Sequence, residues 1–251
     1  MVSLGISSDD DIDAMVRIDQ VNDLIASWPK CDLPEELIRD IAVSQIALAG
    51  WCWPAKASWI AQAVLSIHAS LCVEIGVYGG RSIAPMALAQ RHLGIQGKVF
   101  AVDAWDNDIA VETPTTQEND KWWGTEDLTA VKDRFTSYLL REHLTDRIRI
   151  AEMASDDAAR CFASPRFRNK VDLIHIDGSH SEEQAFKDVK AWAPLLRHGG
   201  LLVMDDIAWE TLGPSIQLLN KIGDLVYEER SEPGSFAAFC IDQAKASAFC
   251  N

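Results

Sequence analysis

The chain has 251 residues, 48% hydrophobic and 24% charged, which suits one large α/β domain and leaves no room for two catalytic domains. No apolar run approaches the roughly 20 residues that span a bilayer, and the first residues lack the basic and apolar segments of a secretory or transit signal, so a cytoplasmic protein without a membrane span is expected. Acidic side chains outnumber basic ones 38 to 23, a net charge of −15, which repels phosphates and argues against nucleic acid as a partner.

In chain order, residues 1–40 carry 10 acidic and 3 basic groups. Helical periodicity runs over 10–28 and 34–50, with Pro34 at a first helical position and Leu37, Ile41 and Leu48 on one stripe. Residues 1–55 read as a helical N-terminal cap and 56–251 as the main domain, which opens with a helix over 56–68. Strand-length apolar runs follow at 71–75, 98–103, 147–151, 171–177 and 200–205, with the composition of buried parallel strands. Helix-length segments at 82–92, 126–143 and 182–196 separate them, so strand and helix alternate as in a doubly wound parallel sheet. Segment 101–135 carries 9 acidic and 3 basic groups; both acidic segments read as solvated faces rather than cation-binding surfaces. Gly213 and Pro214 start another helix, and the runs LVYEE and FAAFCI flank the turn-rich Ser231–Ser235, predicting a terminal antiparallel hairpin. Six cysteines without a C-x-x-C pair read as reduced thiols.

Chemistry concentrates at strand ends. The first strand runs through Glu74-Ile75-Gly76-Val77-Tyr78-Gly79-Gly80-Arg81-Ser82 into a helix, a turn that lets a ligand approach the backbone and offers helix N–H groups to an anion. The pattern E-x-G-x-x-G-G is neither a dinucleotide fingerprint nor a phosphate loop. Asp103 ends the second strand, where an acidic residue accepts ribose hydroxyls or serves as a turn residue. Asp177 with His180, and the pair Asp205-Asp206, end the fourth and fifth strands and should converge in the ligand crevice. Three close carboxylates need compensation, and a hard divalent cation, Mg²⁺ or Mn²⁺, is the simplest; ion pairing or helix capping is the alternative. His180 at the crevice mouth reads as a general base, or else as an exposed loop histidine. Among nine tryptophans, Trp51, Trp53, Trp105, Trp122, Trp123 and Trp209 should border the crevice, with Trp122-Trp123 in a polar loop read as lid or as packing.

VEIGVYGGRS and HIDGSHSEEQAFKDVKAWAPLLRHGGLLVMDDI resemble class I methyltransferases that use S-adenosylmethionine (SAM), in the metal-dependent O-methyltransferase branch of catechol O-methyltransferase and the macrolide sugar enzymes. The resemblance covers roughly residues 50–241. It implies a Rossmann-like sheet of seven strands with an antiparallel last strand. It also implies Glu74, Gly76, Tyr78, Gly79, Ser82 and Asp177 around the methionine part of SAM. Asp103, with Ala104 and Trp105, would hold the ribose, and Met153, Ala154 and Ser155 would flank the adenine. Asp177, Asp205 and Asp206 match the family's metal ligands, and His180 matches the histidine of the macrolide sugar enzymes. Two positions depart from the pattern: Ser181-Glu182-Glu183 replaces a tyrosine after that histidine, and Arg81 stands where the catechol enzymes have tyrosine.

The resulting expectation is a SAM- and metal-dependent O-methyltransferase acting on a hydroxyl of a sugar or natural product, with room for a homo-oligomer. The ion would lower the acceptor's pKa and His180 would take its proton. A metal-independent methyltransferase and a non-catalytic SAM- or nucleoside-binding protein are the alternatives, beside a related hydroxylase sharing the DG-x-H and DD arrangement.

Overall fold

A computed structural model describes residues 16–230 and 234–250. The N-terminal helices are α1 (Ile18–Ala26), α2 (Glu35–Ala47) and α3 (Pro54–Ile67). The sheet region then alternates: β1 (Leu71–Ile75), α4 (Ile83–His92), β2 (Lys98–Asp103), α5 (Asn107–Ala110), α6 (Gln117–Trp123), α7 (Leu128–Arg141), β3 (Ile148–Glu152), α8 (Ser155–Phe162), β4 (Val171–Ile176), α9 (Glu182–Trp192), β5 (Leu196–Asp205) and α10 (Gly213–Ile222). The chain closes with β6 (Gly223–Glu229), β7 (Phe236–Ile241) and α11 (Gln243–Phe249).

Seven strands form one sheet in the order β3-β2-β1-β4-β5-β7-β6. β1 pairs in parallel with β2 and β4, while β7 inserts antiparallel between β5 and β6. The order reverses at β1, whose neighbours lead outward in opposite directions, and such a switch point opens a crevice beyond the strands' C-terminal ends. Period-two alternation divides the core between the two faces. Cys72, Val99, Ala101 and Leu173 pack under α2, α3, α4 and α7, whereas Val73, Val102, Ile174 and Ile176 pack with Trp192 under α8 to α11.

Several sequence expectations shift. Pro34 sits one residue before α2, in extended conformation, rather than inside it. Trp122 and Trp123 lie in α6, not in a loop, because Thr116 caps that helix by accepting from the Asn119 N–H. The segment expected to be helical over 182–196 ends at Trp192 and passes through a single 3₁₀ turn, Ala193–Leu195, into β5. Residues 10–15 of the first expected helix and Ser231–Pro233 of the hairpin turn lie outside the described residues. No helix among the described residues is long and apolar enough to cross a membrane.

Candidate active site

The crevice beyond β1, β2, β3 and β4 spans about 1080 Å³, the open solvent at its mouth included. Of the residues expected around a cofactor, Gly76, Tyr78, Asp103, Ala104, Met153, Ala154, Ser155 and Asp177 line it, as does His180. Glu74, Gly79, Ser82 and Trp105 are not among the residues that line it. Side chains not foreseen from the sequence complete the lining, among them Thr113 and Asn119 from the α5–α6 region and Asp156, Gln184 and Asp188 from α8 and α9.

The glycine turn is shaped by the protein's own packing. Gly76 has φ +79°, and a Cβ there would stand 2.1 Å from the Asp177 carbonyl oxygen; at Gly80, φ +85°, it would stand 2.3 Å from the Phe135 ring. Both positions therefore require glycine before any ligand enters. The turn's donors are also partly used internally: Val77 and Tyr78 N–H donate to Asp103 Oδ2 at 2.8 Å each, and Trp105 N–H donates to Oδ1 at 2.8 Å. Asp103 thus ties the turn to β2. Burial pushes its carboxyl above the usual range, against these three N–H donors.

Behind the turn runs a buried polar chain. Ser82 donates to Glu74 Oε1, and His175 Nδ1 lies 2.9 Å from the same oxygen. Burial pushes the Glu74 carboxyl up to about 8. Burial, then the nearby Lys56 charge, drives His175 down to about 3, so its ring is neutral, with Nδ1 against Glu74 and Nε2 3.6 Å from Asp205 Oδ2.

The three aspartates converge, with ligand atoms within 4.8 Å of one another, but only Asp177 of them lines the crevice. A side chain the sequence reading overlooked joins them. Lys56, only 4% exposed, donates from Nζ to Asp205 Oδ2 and lies 3.4 Å from Asp177 Oδ2. Burial pulls the ammonium toward neutrality, but the surrounding acids, Asp177 foremost, hold its pKa above the ordinary lysine value. Oxygen donors of this kind suit Mg²⁺ or Mn²⁺; here an ammonium already occupies the span between two of the three, and the set as arranged does not fit the ion.

Asp206 is engaged elsewhere. Its Oδ2 lies 2.7 Å from His180 Nε2. Burial opposes its charge, yet the hydrogen bond from His180 and the Lys56 ammonium hold it below the usual carboxylate range. An ionised carboxylate only accepts, so Nε2 carries the hydrogen, and in a neutral ring the lone pair is then on Nδ1. Trp209 stacks on the His180 ring at 4.6 Å between centroids, and Thr211 Oγ1 donates to the His180 carbonyl.

Tryptophan placement divides. Trp51 stacks on Tyr78 at 5.3 Å, and Trp122 and Trp123 close round the same two rings. Trp123 reaches the crevice wall, Trp105 is buried against Phe135, and Trp53 borders Gly234.

Lys56 carried one sequence signal. It is the single charged residue in PAKASWIAQAVLSI, a helix buried on several sides, and such a charge must find a partner inside the protein. His175 carried the same kind of signal within a strand buried along its whole length.

Solved structures share this architecture. The O-methyltransferase TomG from Streptomyces achromogenes, in complex with SAM, superposes with a TM-score of 0.59 at 12% identity over 89% of this chain and 95% of that one. An O-methyltransferase from Bacillus cereus in complex with SAH gives 0.55 at 15% identity over 88% and 96%, and the O-methyltransferase NovP 0.59 at 14% over 75% and 80%. At these identities the likeness is one of fold. The sequence itself matches a family described as a methyltransferase domain over residues 73–207, from inside β1 to just past Asp205-Asp206 and so across both halves of the crevice. With more than half of its length matched, the chain belongs to the methyltransferase domain family.

Proposed function

We propose that this chain transfers the methyl group of SAM to a hydroxyl of a small molecule of the sugar or natural-product kind. The observation that carries the reading is His180, clamped by Asp206 and Trp209 on the wall of a cofactor-sized crevice. SAM as donor is supported by the SAM and SAH complexes of the solved O-methyltransferases, and oxygen as acceptor by what those enzymes are called. The lining itself suits SAM, which is cationic at sulfur and at its amino group: Asp103, Asp156, Asp177 and Asp188 give the wall an acidic character. Trp51, Trp122 and Trp123, gathered round Tyr78, offer flat faces for a ring-shaped acceptor. We take residues 1–55 as a helical cap over a methyltransferase domain of 56–251, and the setting as cytoplasmic.

When bound, SAM supplies an electrophilic methyl group and leaves as S-adenosylhomocysteine (SAH). An alcohol is a weak nucleophile, so the chain must remove its proton while holding the oxygen in line. His180 Nδ1 takes that proton as the new C–O bond forms. Asp206 keeps the ring in the tautomer that leaves Nδ1 free and stabilises the imidazolium that results. Glu74 and Ser82, hydrogen-bonded behind the turn, keep it in shape for the cofactor.

Calorimetry with SAM and SAH, followed by mass spectrometry of a panel of sugar diols and phenols incubated with SAM, tests the reading. Saturable SAH binding and gain of one methyl group on a hydroxylated acceptor are expected. Binding of NAD with no response to SAM or SAH would overturn it.

A further inference from the structure

The acidic triad at the ends of β4 and β5 raises a question of charge: what cation allows these carboxylates to stay together away from water? Each has a partner within the chain. Asp205, itself buried, accepts from Lys56 Nζ, Asp177 lies 3.4 Å from the same nitrogen, and Asp206 accepts from His180 Nε2 at 2.7 Å.

The lysine is not a surface side chain that swings aside. Its α3 neighbours Ala57, Ser58, Ile60 and Ala61 are buried, as is Cys52, whose thiol burial pushes up to about 12. Retracting the ammonium from the carboxylates would carry a charge into apolar surroundings. A divalent ion shared by Asp177 and Asp205 would have to stand in the gap that Nζ fills, and two cations at that separation in a poorly screened site repel strongly. Lysine also differs from a bound ion in being covalently fixed, so the compensation does not depend on metal supply.

We infer that Lys56 stands in for the divalent cation: its ammonium is the permanent counter-ion of Asp177 and Asp205, and methyl transfer at His180 runs without a divalent metal. The inference rests on the methyl-transfer reading for its second half and on geometry alone for its first. Lys56 acts through the two aspartates, so it is a positioning residue; it holds Asp177 on the crevice wall and leaves Asp206 free to orient His180.

Mn²⁺ titration followed by electron paramagnetic resonance, in the presence of SAH, tests it without recourse to activity. Wild-type protein is expected to show no saturable Mn²⁺ site below the millimolar range, and chelator is expected to leave methyl transfer intact. Lys56→Ala empties the gap while keeping three carboxylates; it should acquire one Mn²⁺ site bound about 100-fold or more tighter than any in the wild type, with thermal stability partly restored by the ion. A lysine serving packing alone would give no such gain. One micromolar Mn²⁺ site in the wild type, lost in Asp177→Asn, would overturn the inference, as would activity abolished by chelation and restored by Mg²⁺. If Lys56→Ala fails to fold, the wild-type titration still decides. Failure of the protein to bind SAH in the same samples would overturn the methyl-transfer reading instead, and the Mn²⁺ result would stand on its own.

Discussion

The two halves of the crevice are built by different means. On the side of β1, β2 and β3, backbone groups do most of the work: the glycine turn is fixed by close approach to Asp177 and Phe135, and the carboxylate that ends β2, Asp103, is bound by three main-chain N–H groups. Beyond β4 and β5, side chains from distant parts of the sequence do it. Lys56 is 121 residues from Asp177 and 149 from Asp205, and His180 is 26 from Asp206. Backbone scaffolding suits a ligand shared by many enzymes, whereas a network of paired charges suits the step in which a proton moves and charge develops. Substitutions on the second side should therefore strike catalysis, and those on the first should strike cofactor affinity.

The sharpest separation is expected at His180. His180→Ala should lower kcat by about 10² to 10⁴, the range for losing a general base, while the SAH dissociation constant stays near the wild-type value. Asp206→Asn should fall between the two, because it leaves the imidazole present but unanchored. Steady-state kinetics on the identified acceptor, paired with SAH calorimetry, reads both quantities; equal losses in kcat and in SAH affinity would erase the distinction between the halves.

Stability should respond most at Lys56. Lys56→Met preserves much of the volume and removes the charge, leaving Asp177 and Asp205 without their partner. Breaking a buried pair by removing one member typically costs about 3 to 5 kcal/mol, and chemical denaturation should find a loss of that order. A loss no larger than that of an exposed pair such as Lys187–Glu183 would mean that water already screens the cluster.

This asymmetry also governs how much could be read from the sequence. β1 and β2 match their expected bounds, and the convergence of Asp103, Asp177, Asp205 and Asp206 follows from parallel strands ending on one side. Local signals suffice there, since each strand is a continuous apolar run closed by a carboxylate. α5 and α6 escaped because they are short, polar and contain no fully buried residue, so hydrophobic periodicity has nothing to register. The glycine turn is visible in the sequence, but the packing that also requires glycine at positions 76 and 80, against Asp177 and Phe135, is not, because those neighbours are distant along the chain. Lys56 was missed because a contact across more than a hundred residues leaves no trace in spacing. Its solitary charge in α3 is the signal available, and it favours the ion-pairing alternative over a divalent cation for the cluster.

Asp103 tests the backbone-built half. Asp103→Ala should weaken SAM binding by about 1 to 3 kcal/mol, the scale of charge-assisted hydrogen bonds, with kcat at saturating SAM little changed. Because its oxygens also hold Val77, Tyr78 and Trp105, the melting temperature should fall as well. Thermal shift and calorimetry on the same variant separate the two roles. A lower melting temperature with unaltered affinity would make Asp103 solely the anchor of the turn.

Glu74 sits where the halves meet, bonded to Ser82 on one side and to His175 on the other, and it predicts a pH dependence of stability. Its carboxyl, ordinarily near 4.5, is pushed by burial to about 8. Between those values the folded protein holds a proton that the unfolded chain has released, so stability falls as pH rises through the interval. His175 works in the opposite sense lower down: from about 3 to its ordinary 6.5 the unfolded chain takes up a proton that the folded one refuses, and stability rises with pH. The two oppose each other below 6.5. Between 6.5 and 8 only the Glu74 contribution remains, and it should remove about 2 kcal/mol of stability. Glu74→Gln, which cannot ionise yet can still hydrogen-bond to Ser82 and His175, should lack that decline. Denaturant unfolding of both proteins at a series of pH values reads the difference directly, and parallel curves across 6.5 to 8 would mean that Glu74 is already ionised in the folded protein. In that event the buried chain from Ser82 to His175 would carry a negative charge, and the clean division between a backbone-built cofactor side and a charge-built acceptor side would fail at their junction.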